Sequence, residues 1–321
     1  MVTQKKKYIQ HRKNRTTKNR LNQYEVIVKR LHPITEDKII SDYQKLQQLD
    51  CKGAIESSFK LRLGNDIVDY FTLEERLHTK TKHNIDFYTF WKKRKHYIQI
   101  PHIRKMLQFY QNRKIDEIRK YKYIFNLYFS SISIFKPVVA MELYCRVHAK
   151  RVLDFTMGWG GRLVAASVLN LQSYIGIDSN THLKVPYEKL KTFLRQRNST
   201  TDITLYFQDA LLIDYSTMDY DTVFTSLPYY NTEIYRGNQT ISTTKEKWFL
   251  EFYKPLYKKT WKYLKKGGCY CLNVSQEIYQ ETCIPVLGKC DNQFLLKKNS
   301  RTEVSNYKEY IYVWNKSTKR I

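Results

Sequence analysis

Two hydrophobic rhythms divide the chain. Up to about residue 130, apolar positions recur at helical spacing, first in "YEVIVKRL" and "IISDYQKLQQL" between Tyr24 and Leu49, before a turn-like "CKG". Residues 84–129, "NIDFYTFWKKRKHYIQIPHIRKMLQFYQNRKIDEIRKYKYIFNLYF", keep much of this spacing and break at Pro101. Beyond 130, short apolar runs alternate with amphipathic stretches. "RVLDF" (151–155), "SYIGID" (173–178), "ITLYFQDA" (203–210), "YDTVFTSLPYY" (220–230) and "CYCLNV" (269–274) predict five strands. "GRLVAASVLNL", "THLKVPYEKLKTFLRQR" and "KEKWFLEFYKPLYKKTWKYLKKGG" predict helices among them, the last ending in a Gly pair. "QFLLKKN" and "EYIYVWNK" predict a closing antiparallel hairpin. Strands alternating with helices imply an α/β fold, its sheet mostly parallel and covered on both faces. Ligands of such sheets bind at the carboxyl ends of the strands. The expected division is a disordered basic arm (1–22), a helical basic-aromatic region (23–130) and an α/β domain (131–321).

Charge adds a partner to this picture. The 321 residues hold 56 Lys+Arg against 30 Asp+Glu, a net charge of +26. Such an excess suits a polyanion, nucleic acid above all, through phosphate neutralisation. It leans to the front: residues 1–150 hold 32 Lys+Arg and 14 Asp+Glu, residues 151–321 hold 24 and 16. In 84–129 basic residues are interleaved with rings, as on surfaces that grip phosphates and stack bases. The same pattern would serve a helical layer with an aromatic core face and a solvated basic face, and the two readings are compatible.

Other classes recede. No run of about 18 apolar residues predicts a membrane span. The first twenty residues lack the apolar centre of a secretory signal. The six cysteines form no C-x-x-C pair and have no His at zinc spacing, so no metal is expected. Free thiols in a reducing, intracellular compartment, cytoplasm or nucleus, are the expectation.

The first strand of the α/β domain ends in Asp154-Phe155-Thr156-Met157-Gly158-Trp159-Gly160-Gly161. A strand, a Gly-rich turn and a helix suit a nucleotide-like cofactor, because Gly lets a ligand approach the backbone. No G-K-[ST] follows, and the third Gly of G-x-G-x-x-G is missing. Instead one acid precedes the glycines and another, Asp178, ends the second strand. An acid there can bind both ribose hydroxyls, and an acid ahead of the loop can accept from a cationic amino group. S-adenosylmethionine has both features.

These motifs, with "SLPY" at the end of the fourth strand, resemble the DNA amino-methyltransferases, which methylate adenine N6 or cytosine N4. "VLDFTMGWGGRLVAA" is similar to their cofactor loop, in a variant nearest a phage and large-DNA-virus branch, and the resemblance spans about 133–315. It implies a Rossmann-like methyltransferase sheet and S-adenosylmethionine as cofactor, with Phe135, Lys136, Asp154, Thr156, Gly158, Gly160, Asp178 and Asp209 around it. It implies a tetrad, Ser226, Leu227, Pro228 and Tyr229, that clamps a flipped base. There Ser226 Oγ and the Leu227 carbonyl would accept from the amino group, and Tyr229 would stack on the base. Leu227 departs from the family pattern, which has a first Pro there. Tyr230 is expected inward as core, and Asn231 as a polar pocket wall. The Gly loop and tetrad lie about 65 residues apart, which leaves DNA contacts to the basic N-terminal half. RNA remains possible as substrate, as does a non-catalytic nucleic-acid-binding protein on a degenerate fold of this kind.

Overall fold

In the computed structural model, residues 23–57, 60–228, 230, 233–234, 244–296 and 309–317 are described. The expected arm at 1–22, Tyr229 and Asn231 lie outside them. Two compact units emerge: residues 1–35 with 73–132, and residues 36–72 with 133–321.

The first unit is helical. Its described helices include residues 23–31, Phe87–Lys92, Pro101–Gln111 and Glu117–Tyr128. Asp86 and Asp116 start two of them, accepting from the Thr89 and Ile118 amides at 2.6 and 2.8 Å. Pro101 opens its helix instead of interrupting one, because an N–H at that position would have had no partner. Phe87, Phe90, Ile103, Tyr121, Ile124 and Phe125 form the core. Arg30 binds Asp116 through Nε and Nη2 at 3.1 and 2.9 Å.

Residues 36–72 group with the sheet, which differs from the expected grouping of 23–130. Tyr43 OH donates to the Ser167 carbonyl at 3.2 Å, and the Ile55 amide donates to Glu142 Oε2 at 2.5 Å. These are pairings across about a hundred residues that helical spacing does not announce. The same segment brings Cys51 to Cys145, and the two form a disulfide. That corrects the expectation of six free thiols; Cys269, Cys271, Cys283 and Cys290 are free.

Among the described residues, the main sheet of the second unit has seven strands: β1 (Arg151–Asp154), β2 (Ser173–Ile177), β3 (Asp202–Tyr206), β4 (Thr222–Ser226), β5 (Cys269–Ser275), β6 (Asn292–Leu296) and β7 (Glu309–Asn315). Their order is β3-β2-β1-β4-β5-β7-β6. The first five are parallel, and β7 runs antiparallel to both β5 and β6. The fold is therefore the expected mostly parallel, Rossmann-like sheet with its antiparallel C-terminal hairpin. Strand order reverses between β1 and β4, the position where doubly wound sheets open a crevice.

Helices α1 (Pro137–Arg146), α2 (Gly161–Val168), α3 (Lys184–Gln196) and α4 (Lys254–Tyr263) accompany the strands. The central strands are nearly continuous apolar runs because both faces are covered. Leu153, Val223, Tyr270 and Leu272 all lie in one fully buried cluster. The long helix expected at 245–268 runs without a gap from Lys245 to Tyr263, with a wide π-turn at Phe249–Tyr253 before α4. Pro255 accounts for the π-turn: it has no N–H to donate, and its ring forces the preceding turn open.

Among the described residues no helix is long and apolar enough to cross a membrane, and no group of His, Cys, Asp or Glu is placed to hold a metal.

Candidate active site

The site forms where β1 and β4 end side by side, with register Val152↔Thr222 and Leu153↔Val223. Asp154, the last residue of β1, is 0% exposed. Both its oxygens are taken inside the protein. Arg162 donates through Nε to Oδ2 at 2.6 Å and through Nη2 to Oδ1 at 3.1 Å. Tyr174 OH reaches Oδ2 at 2.6 Å, and Thr225 Oγ1 reaches Oδ1 at 2.8 Å. The expected contact between Asp154 and a cofactor amino group is thus replaced by a structural one, since this carboxylate has no surface to offer a ligand.

Arg162 is 3% exposed, on α2 directly after the glycines. Its Nη2 also donates to the Thr156 carbonyl at 2.5 Å. The cation therefore ties the end of β1 and the start of the loop to α2. Burial opposes its charge, and Asp154 more than restores it, so the group stays fully protonated. The Phe135 ring, edge-on to Phe224, lies beneath the guanidinium.

The glycines divide the work of the loop. Gly161 packs on the segment before α1: a Cβ there would fall 1.9 Å from the Phe135 carbonyl oxygen. Gly160 has φ +96° and lies against Leu190, so it turns the chain into α2. Gly158 is different. Its φ is +57°, it is half-exposed, and a Cβ there would meet only the Thr156 carbonyl oxygen, at 3.9 Å. It is the glycine with open space above it.

Gly158 also meets Asp178. Its amide donates to Asp178 Oδ2 at 2.9 Å, and the Asn180 amide donates to Oδ1 at 2.9 Å. The half-buried carboxyl is nevertheless pushed up to about 6, because desolvation outweighs those two hydrogen bonds. Tyr187 OH on α3 holds the loop from below, 3.0 Å from the Gly158 carbonyl. Lys136 precedes α1, and burial lowers its ammonium from the ordinary value, with Arg62 adding to the effect. Asp209 is exposed and caps the short turn Ala210–Leu212 by accepting from the Leu211 amide at 2.9 Å. Its bond is local and does not link it to the other candidates.

Across the crevice, Thr225 gives its proton to Asp154, so Thr156 is the donor in the 2.5 Å contact between the two hydroxyls. Thr156 Oγ1 also lies 3.1 Å from the Ser226 carbonyl. One chain of hydroxyls, Thr156 to Thr225 to Asp154, thus joins the Gly loop to the end of β4. Ser226 is half-exposed, and its Oγ donates to Asn273 Oδ1 on β5 at 3.0 Å. The Asn273 amide is held in this sense because its Nδ2 donates to the Tyr310 carbonyl at 3.1 Å. Leu227 is buried in the sheet core, which accounts for an apolar residue there: its side chain packs and only its backbone faces the turn. Tyr253 OH donates to the Pro228 carbonyl. Tyr230, expected as core, is half-buried.

The structure thus brings together Thr156, Gly158, Asp178, Ser226 and the backbone of Leu227 and Pro228. Reading motifs alone missed Arg162, Tyr174, Thr225, Asn273 and Tyr253. Arg162 and Asn273 each left a trace: one is a charge inside an apolar helix, the other an amide inside the apolar strand "CLNV".

A crevice offering Gly158 backbone, an acid at the end of β2 and the Ser226 hydroxyl at the end of β4 fits a nucleoside-bearing cofactor beside a polar substrate group. No protein-family model matches the chain, and no curated protein matches it. Solved structures are similar to part of it. TrmN from Thermus thermophilus is 20% identical over 56% of this chain and 48% of its own, with a TM-score of 0.37. The M. jannaschii tRNA m1G37 methyltransferase is 14% identical over 56% and 49%, at 0.38. A SAM-dependent O-methyltransferase from Thermotoga maritima is 15% identical over 61% and 71%, at 0.39. The chain spans about half the length of the first two.

Proposed function

We propose that the chain methylates the exocyclic amino nitrogen of a DNA base, adenine N6 or cytosine N4, with S-adenosylmethionine as donor. One observation carries the reading: Ser226, at the end of β4 beside the Gly loop, has its proton directed at Asn273. Its Oγ lone pairs are then left as acceptors, which is what an amino group needs.

The donor supplies an activated methyl group on a sulfonium, so position and electrostatics are what remain for the protein. Gly158 would allow its close approach, Asp178 would accept from the ribose hydroxyls, and Phe135, Lys136 and Thr156 would line the methionine end. Gly160 and Asp154 hold the loop that these residues share. The amino lone pair of a base is delocalised into its ring. Ser226 Oγ and the Leu227 carbonyl would accept hydrogen bonds from its two N–H groups and turn the lone pair toward the methyl group. The C–N bond would form as the sulfonium C–S bond breaks, S-adenosylhomocysteine would leave, and the nitrogen would release one proton to water. Pro228 fixes the turn, and Tyr229 would stack on a base flipped out of the duplex.

The test is incubation of the purified chain with radiolabelled donor and DNA or RNA, followed by digestion to nucleosides. Labelled N6-methyladenine or N4-methylcytosine nucleoside from DNA is the expected product. Label in RNA alone would overturn the DNA substrate. No label from either, with the donor bound in calorimetry, would leave a binding protein on this fold.

A further inference from the structure

The first unit carries at its surface a ring cluster, anchored to its core through the half-buried Tyr110, that the proposed methyl transfer does not use. Phe109, on helix Pro101–Gln111, is 56% exposed, and Tyr123, on helix Glu117–Tyr128, is 46% exposed. Tyr110 joins them, its ring centroid 5.3 Å from Phe109 and 5.9 Å from Tyr123. The Arg113 guanidinium carbon lies 4.3 Å from the Phe109 centroid and 5.7 Å from that of Tyr110. Leu127, one helical turn after Tyr123, is also exposed. Two exposed rings, a half-buried third and a guanidinium plane therefore stand together at the surface, although burying the exposed rings would be worth more than exposing them.

The surroundings say what covers them. Residues 87–129 hold eleven Lys+Arg and two Asp+Glu. One of the two acids, Asp116, is already bound by Arg30. Lys105 lies one helical turn before Phe109, and Lys114 follows Arg113 directly; both are exposed. An apolar protein partner would meet unpaired cations here. A duplex backbone would use the cations and leave the rings idle. A polyanion with accessible planar faces uses both.

We infer that Phe109, Tyr110, Arg113 and Tyr123 form a stacking platform for a single-stranded polynucleotide, with Lys105 and Lys114 beside it for the phosphates. Each ring face that Arg113 leaves uncovered, and the outer face of the guanidinium, takes an unstacked base without regard to its identity. The platform stands apart from the methyl-transfer reading, because binding here requires neither donor nor catalysis.

The test is fluorescence anisotropy with the full-length chain and a labelled oligothymidylate of about 15 nucleotides, within the usual range of binding-site sizes. The double variant F109A/Y123A should bind at least about tenfold more weakly, with an unchanged dependence on salt. K105Q/K114Q should weaken binding and flatten that dependence. Because all four side chains are exposed, both variants should melt as the native chain does. F109L/Y123L, which keeps apolar bulk and loses the aromatic faces, should resemble F109A/Y123A. Binding of F109A/Y123A within twofold of the native chain would overturn the inference. So would equal affinity for a fully paired duplex or for polyglutamate, which would assign the face to backbone or to an acidic protein. No donor is present, so a failure here leaves the nucleoside assay untouched.

Discussion

Ser226 Oγ donates to Asn273 Oδ1 at 3.0 Å, and Asn273 Nδ2 donates in turn to the Tyr310 carbonyl at 3.1 Å. The relay runs from the antiparallel strand β7, through β5, to the end of β4. It fixes a rotor that would otherwise offer a base either a proton or a lone pair.

Asn273→Ala frees that rotor without touching substrate. It should lower kcat about tenfold to a hundredfold, the range in which misplaced reacting groups act, and leave the donor KM unchanged. Ser226→Ala should cost at least as much. Adding Asn273→Ala to Ser226→Ala should then cost little more, because the amide works through the hydroxyl. Steady-state kinetics of the four proteins checks this. Full additivity of the two losses would show that Asn273 acts independently of Ser226.

The Asp154–Arg162 pair makes a prediction about stability. Both partners are buried, so removing one leaves an uncompensated charge. Arg162→Ala should destabilise the second unit by about 3–5 kcal/mol. Arg162→Lys should recover only part, since one ammonium cannot serve both Asp154 oxygens and the Thr156 carbonyl. Urea denaturation followed by tryptophan fluorescence measures both.

Where the chain was legible, local physics was enough. "RVLD" and "SYIGI" are apolar because both sheet faces are covered, and that pattern gives strands directly. Asp178 and Gly158 were visible because strand ends and glycines mark clefts. Asp154 was visible for a different reason than its position now supports: an acid ahead of a Gly loop looks the same whether it faces a ligand or a buried Arg162. The placement of residues 36–72 and the Cys51–Cys145 pairing were illegible because they depend on contacts across the chain. Asn273 was hidden inside a strand whose other residues are core.

The glycines separate binding from folding. Gly158→Ala adds a Cβ to open space, so the main cost is a left-handed backbone, about 1–2 kcal/mol. That Cβ fills the approach to the loop, so donor affinity should fall by much more than stability does. Gly161→Ala has nowhere to put its Cβ except on the Phe135 carbonyl oxygen, and should cost folding first. Calorimetric titration of the donor beside thermal melts of both variants distinguishes the two. Equal loss of affinity and stability in Gly158→Ala would remove that residue from the binding surface.

With Asp178 on the donor ribose, as proposed, donor binding would depend on pH. Its carboxyl titrates at about 6 in the fold, against an ordinary 3.8, with desolvation as the main cause. Between those values the native state holds a proton that the unfolded chain has released. Native stability should therefore fall as pH rises through that window, and Asp178→Asn should flatten the fall. Donor binding should run the other way. Ribose hydroxyls donate to a carboxylate better than to a carboxylic acid, so affinity should rise from pH 5 to pH 7 about a midpoint near 6. In Asp178→Asn that rise should vanish and affinity should be low throughout. Titration calorimetry across this range reads both effects, and an affinity independent of pH in the native chain would remove Asp178 from the ribose.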